Sequence, residues 1–240
     1  MNTEQIFEYL RKFDTPTICN ALELPMGGRT AEGFTRGTPV VSSAKAGSFV
    51  GYAKTARIEG TKPSAIDRET VNALRLEYYR YAATDPKPGV MVIEDTDWPE
   101  CIGAFWGEIN VAVHKGLGNA GTLTNGIVRD LDAVDPDYQV VAGSIGPSHA
   151  HVRVTEIDIP VTVFGLRIHP GDIIHADRHG AVIIPAEHLA VLPAAVDEVI
   201  AKESPVIGAA KRADFDIEKL IRVWKDFQQY KPKITAGGKP

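Results

Sequence analysis

The sequence predicts a mixed α/β fold, and three observations carry the prediction. Strand-like and helix-like stretches alternate through the first half of the chain. Five strand-like runs separated by Gly and Pro turns crowd the second half, which excludes a helix-dominated fold. The 240 residues, 44% of them hydrophobic, suffice for a large core within one α/β domain. The expected organisation is one main domain over residues 1–205, with a C-terminal helical extension and loose tail over 206–240.

Taken in order, Ile6, Phe7, Leu10 and Phe13 recur at helical spacing over 3–13, and Asp14-Thr15-Pro16 reads as a cap with proline in the first turn of a second helix. A Gly-rich passage precedes a strand through Phe49 to Ala56. Val71, Leu74, Tyr78 and Tyr81 then share one face of a helix over 68–84, which Pro86-Lys87-Pro88-Gly89 stops. Val90-Met91-Val92-Ile93 is apolar without interruption, as a strand covered on both faces requires, and Glu94, Asp95 and Asp97 follow at its exit. Phe105, Trp106, Ile109, Ala112 and Val113 predict a helix ending at Gly116, and Gly121 to Thr124 a further strand. The later runs fall at Gln139–Ala142, Val152–Ile157, Val161–Phe164, Asp172–His175 and Ala181–Ile184. Amphipathic helices are expected over 186–202 and 216–228, the second with Ile217, Leu220, Ile221 and Trp224 on one side, and a loose tail from Lys231 to Pro240.

Composition narrows the function classes. A formal net charge of −5 with scattered Lys and Arg offers no basic field for nucleic acid. Two distant cysteines, Cys19 and Cys101, form neither a disulfide framework nor a zinc motif, which fits a reducing cytoplasm. Neither a signal peptide nor a membrane span is expected. Gly116, Gly118 and Gly121 have the wrong spacing for a dinucleotide fingerprint.

The chemistry concentrates at Gly126-Ile127-Val128-Arg129-Asp130, where a buried strand emerges. An Arg and an Asp side by side there offer a fixed cation for an anionic substrate and a hard oxygen ligand for a divalent metal. Such neighbours are also common as a solvated turn or a local ion pair. The bland alternative for His175, Asp177 and His179 is a tight turn before the last strand, against a two-His, one-carboxylate metal site at strand spacing. His149 and His151 lie on a loop able to border a pocket, and Trp98, Trp106 and Trp224 read as core or interface residues.

Gly107-Glu108, then Val128-Arg129-Asp130, Pro170-Gly171-Asp172 and Ala176-Asp177-Arg178-His179-Gly180-Ala181-Val182-Ile183-Ile184-Pro185, in that order, closely resemble the family of the regulator of ribonuclease activity A. That family also contains class II 4-hydroxy-4-methyl-2-oxoglutarate aldolases, which cleave to pyruvate. The resemblance covers roughly residues 15–205. It implies a layered β/β/α core of the phosphohistidine-swivelling type flanked by N- and C-terminal helices, assembled as a trimer or a dimer of trimers with active sites between subunits.

By the same resemblance, Arg129 holds substrate and its developing enolate, Asp130 binds Mg²⁺ or Mn²⁺, and Glu108 stands beside that metal. The backbone amides of Gly107, Glu108, Ile109 and Asn110 receive the substrate carboxylate, and Glu203 matches an acid contributed by the neighbouring subunit. Glu108 also reads as a first-turn acid complementing a helix dipole, and Glu203 as an ordinary exposed acid. Two departures stand out: Ala133 replaces a common family acid, with Asp132 one position early, and a basic residue near the active-site water falls around His151 or Arg153.

The implied function is a metal-dependent lyase releasing pyruvate from a 4-hydroxy-2-oxo acid and decarboxylating oxaloacetate through the same enolate. The alternative is a non-catalytic protein that regulates a ribonuclease. A methyltransferase is disfavoured, since no Gly-rich strand-to-helix loop followed by an acid is present.

Overall fold

The computed structural model describes residues 1–37, 39–43 and 45–237. The chain runs through α1 (Thr3–Leu10), α2 (Thr15–Met26), β1 (Val40–Val41), β2 (Phe49–Glu59), α3 (Arg68–Ala82), β3 (Gly89–Asp95), β4 (Ala104–Trp106), α4 (Glu108–Gly116), β5 (Asn119–Thr124) and β6 (Ile127–Val128). It continues through β7 (Gln139–Ala142), β8 (Ser144–Ile145), β9 (Arg153–Ile157), β10 (Val161–Val163), β11 (Leu166–Ile168), β12 (Ile173–Asp177), β13 (Gly180–Ile184), α5 (Leu192–Ala210) and α6 (Ile217–Gln229). The mixed α/β class read from the sequence is the one observed.

The main sheet has the order β1-β7-β5-β3-β2-β12-β13, with β9 also on β2. Its centre is parallel, β2 with β3, β3 with β5 and β5 with β7, and its edges are antiparallel. The eleven-residue β2 serves two neighbours along one side, β12 through Phe49 to Tyr52 and β9 through Ala56 to Glu59, with a register shift between Arg57 and Ile58. A second, three-stranded parallel sheet, β4-β6-β8, carries the Arg129-Asp130 step at the end of its central strand.

Both faces of the main sheet are covered, as the apolar run in β3 requires. Met91 and Ile93 pack with α3, α4 and the small sheet, whereas Val90 and Val92 face the β10–β11 hairpin, following the period-2 alternation of a strand. A third cluster joins α1, α2 and α5 to Val50, Ile173, Val182 and Ile184. Asp14 caps α2 with Pro16 in the first turn, as the sequence signals, and Asn2 caps α1 in a reciprocal box with Gln5.

Several expectations are corrected. Phe105 and Trp106 belong to β4 rather than to a helix: both are buried, so their apolar character reflects a covered strand that happens to match helical spacing. Helix α4 begins only at Glu108 and buries Asn110, Val111 and His114, leaving Ile109 73% exposed. The helix expected from 186 starts at Leu192, after a short 3₁₀ turn over Ala186–His188, and continues past Pro205 to Ala210. The segment from Lys231 is docked: Ile234 is buried against the α1–α2–α5 cluster and the Gly237 N–H reaches the Pro25 carbonyl, while residues 238–240 lie outside the described residues. On α6 the apolar stripe of Ile217, Ile221 and Trp224 stays exposed, with Trp224 stacked on Phe227. Trp106 is a core residue, fully buried against His114 and Tyr138.

Candidate active site

Two elements that begin and end at one point build the site. Strand β6 delivers Arg129 and Asp130 beside Gly107, the N-cap of α4, and the Arg129 N–H bonds the Trp106 carbonyl at 2.9 Å. Gly107 offers no side-chain cap, so the first-turn amides of α4 are left for other acceptors. One of them is used internally, the Glu108 N–H donating to Asp130 Oδ2 at 3.3 Å. The same oxygen lies 3.4 Å from Arg129 Nε. Asp130 itself adopts φ 55°, a left-handed backbone that Asp tolerates better than most residues.

Gly107 is required by proximity. A Cβ there would stand 2.5 Å from Asp130 Oδ2 and 3.1 Å from Arg129 Cγ, so any side chain would displace this pair from the helix start.

A pocket of about 260 Å³ opens at this junction, bordered by Gly107, Ile109, Asn110, Arg129, Asp130 and His149, with Arg75 entering from α3. On the other side of Arg129 and Asp130 lies a more open cleft edged by Glu108 and Asp132. Most of the residues singled out from the sequence therefore share one neighbourhood: Gly107, Ile109, Asn110, Arg129 and Asp130 border the pocket, and Glu108 borders the cleft. Asn110 has more to do than offer an amide. Its side chain is buried, accepts from Tyr79 Oη at 2.8 Å and donates to the Phe105 carbonyl. Glu203 stands elsewhere in the chain, on α5, where its carboxylate accepts from Asn20 of α2 at 3.4 Å.

Other candidates resolve into structure. His175 is fully buried, its Nδ1 3.0 Å from Thr15 Oγ1 and its Nε2 3.3 Å from the Leu10 carbonyl, and burial pulls its pKa down to about 4. Asp177 accepts the Thr15 and His179 N–H groups at the turn joining β12 to β13, so this triad tethers α2 instead of gathering a metal. Arg153 is held by the Glu59 carboxylate and by the Lys62 and His151 carbonyls. Of the histidines, His149 borders the pocket. Cys19 and Cys101 are free thiols.

Arg75 has no local signal in the sequence. It sits mid-helix, 35 residues before Asn110, and only the packing of α3 on α4 brings it here. Tyr78 and His114 make that packing, with Tyr78 Oη 2.8 Å from His114 Nε2.

No group of three or more His, Cys, Asp or Glu side chains is preformed for a metal among the described residues. The donor set is Asp130, partly exposed, with Glu108 and Asp132 along the adjoining cleft. Hard oxygens in an open site suit Mg²⁺ or Mn²⁺ retaining most of its water shell, not a closed Zn²⁺ cage.

A family model for RraA-like proteins, described as Aldolase/RraA, matches residues 15–183. The chain belongs to the RraA-like family. Among similar sequences, Protein DlpA of Legionella pneumophila is 33% identical over 109 residues, covering 43% of this chain and 17% of that protein. A "Putative 4-hydroxy-4-methyl-2-oxoglutarate aldolase" of Halalkalibacterium halodurans is 27% identical over 106 residues, covering 43% and 50%. The match to these two relatives spans half of their length or less. Among solved structures, an uncharacterized protein of Pseudomonas syringae pv. tomato superposes with a TM-score of 0.66 at 18% identity, covering 92% of this chain and 97% of that one. Streptomyces coelicolor RraAS2, described as an unusual member of the RNase ES inhibitor RraA protein family, gives 0.61 at 21% identity, covering 87% and 96%. These likenesses establish that this RraA-like chain has the RraA fold, and its relatives carry both aldolase and ribonuclease-inhibitor names. No helix is long and apolar enough to cross a membrane among the described residues.

Proposed function

We propose that this chain is a divalent-metal-dependent carbon–carbon lyase that cleaves a 4-hydroxy-2-oxo acid to pyruvate, with oxaloacetate decarboxylation as a companion activity. The convergence of Arg129, Asp130 and the uncapped start of α4 on one pocket carries this reading. That pocket, about 260 Å³, is smaller than the roughly 300–1,000 Å³ typical of sites for drug-sized molecules, and suits a small acid.

The open amides of Ile109 and Asn110 receive the substrate's C1 carboxylate, favoured by the positive end of the α4 dipole. The 4-hydroxyl proton leaves to a base, the C3–C4 bond breaks, and its electron pair becomes the enolate of pyruvate. The departing fragment keeps C4 as a new carbonyl. Arg129 places a guanidinium where the enolate oxygen gains charge, and preorganised donors of this kind contribute about 3 kcal/mol each. We assign the proton exchange to His149, which borders the pocket. Protonation of the enolate at C3 completes pyruvate. Asp130, with Glu108 nearby, would hold a divalent cation, which when bound would supply Lewis-acid polarisation of the 2-oxo group. We further propose that the chain works as a homotrimer or dimer of trimers in which Glu203 reaches a neighbouring subunit's pocket.

Pyruvate release, coupled to lactate dehydrogenase and NADH across a panel of 4-hydroxy-2-oxo acids, tests the reading. Activity is expected with Mg²⁺ or Mn²⁺ and is expected to collapse in Arg129→Ala and Asp130→Ala. Undiminished activity in excess chelator eliminates the proposal.

A further inference from the structure

The pocket contains a second guanidinium that the chemistry above leaves unused. Arg75 projects from α3 with its guanidinium carbon 5.3 Å from the Phe105 ring centroid and 5.8 Å from that of Tyr79. Its Nε donates to Tyr79 Oη at 3.1 Å, and its Nη2 lies 3.5 Å from Asn110 Oδ1. Tyr79 and Asn110 are themselves joined, and the Asn110 side chain is locked to the Phe105 carbonyl. The cation is therefore held over two aromatic rings by buried or half-buried partners, and its planar guanidinium offers a fork that lysine could not.

What Arg75 lacks is a counter-ion. Among the described residues no acid lies within salt-bridge distance of it, and no partner falls to its Nη1. The other arginine of the pocket, by contrast, stands beside Asp130. A guanidinium without a counter-ion, lining the same small pocket as Arg129 and the free amides of α4, suits a ligand with a second anionic group.

We propose that Arg75 is a specificity-determining residue that binds the distal carboxylate of the substrate, so that the pocket selects 4-hydroxy-2-oxo diacids over monoacids of equal length. This assignment rests on the lyase reading for the word substrate, but its recognition step does not depend on turnover. In binding a carboxylate at its free edge, Arg75 keeps its bonds to Tyr79 and Asn110, so selection requires no rearrangement of α3.

The test compares binding of 2-oxoglutarate and 2-oxopentanoate, which share five carbons and differ in the second carboxylate, to the full chain with Mg²⁺ by calorimetry. Wild type is expected to favour the diacid by about 10- to 100-fold, the range for a hydrogen bond to a charged group. Arg75→Gln should bring the two within about threefold of each other, chiefly by weakening the diacid. Arg75→Met, which keeps the aliphatic stem on the rings, should do the same, so a folding defect in one variant leaves the other to decide. Equal affinity of wild type for both acids, binding of neither, or a preference unchanged in both variants overturns the proposal. The lyase reading fails separately: if no pyruvate is released from any 4-hydroxy-2-oxo acid while the diacid preference vanishes with Arg75, Arg75 is still the anion-selecting residue of a binding pocket.

Discussion

Replacing Gly107 by alanine separates the chemistry of the site from the stability of the fold. The backbone at Gly107 is extended, with φ −170°, so alanine adopts it without strain. The added methyl would arrive 2.5 Å from Asp130 Oδ2, 3.1 Å from Arg129 Cγ and 3.3 Å from Arg129 Nε. An ordinary carbon–oxygen contact needs roughly 3.3 Å, so the carboxylate must retreat by somewhat under 1 Å, along with the guanidinium beside it. Both groups end flexible side chains, which keeps the stability cost within about 1–2 kcal/mol. Catalysis is less forgiving, because a misplacement of that size costs on the order of 100-fold in rate. Gly107→Ala should therefore lose about 100-fold in kcat/KM for pyruvate release in the coupled assay, while thermal melting shifts by only a few degrees. Wild-type kcat/KM in the variant would refute the reasoning, since the position of Asp130 and Arg129 would then be irrelevant to turnover.

Other expected outcomes concern the scaffold. Burial holds His114 and His175 near pKa 4, below their unfolded values, so the stability they confer is complete above about pH 6.5 and is lost as pH falls toward 4, by up to about 3 kcal/mol each. Asp95 has the opposite sign. Its carboxyl is buried with Oδ2 unpartnered, and desolvation lifts its pKa to about 6, so its contribution is complete below about pH 4 and is lost as pH rises through 6. In melting curves from pH 4.5 to 8, Asp95→Asn should steepen the acid loss and raise stability at pH 8 relative to wild type; a profile parallel to wild type contradicts this. In the core, a Cβ at Gly121 would stand 2.5 to 2.7 Å from three carbons of the Phe49 ring. Gly121→Ala should cost at least 1–3 kcal/mol in urea unfolding, and Phe49→Leu in that background should recover part of it. Strictly additive losses would show that the two side chains do not clash.

Local chemistry was legible wherever one stretch of chain contained the whole signal. Asp14 and Pro16 announced the start of α2, and the apolar run at Val90 announced a strand covered on both faces, because capping and burial are decided within a few residues. The Arg129-Asp130 step at a strand exit was readable for the same reason, whereas the helix start at Gly107 came only from the family resemblance. Phe105 and Trp106 misled because a three-residue buried strand running into a helix makes apolar spacings that a single longer helix would also make. The short strands β1, β8 and β11 carry too few residues to establish a period. Arg75 had no local signature at all, since an arginine on an amphipathic helix is ordinary until tertiary packing places it over Phe105 beside Asn110.

The most direct test follows the methyl protons of pyruvate in D₂O by proton NMR, with protein and Mg²⁺ present. Exchange into solvent requires only that the pocket form the enolate of a bound 2-oxo acid, whatever the second fragment is. The methyl resonance should decay with wild-type protein and Mg²⁺, and persist when the metal is chelated or when Arg129 or Asp130 is replaced by alanine. A resonance that survives wild-type protein with Mg²⁺, or that decays equally with both variants, contradicts the assignment of this pocket to enolate chemistry.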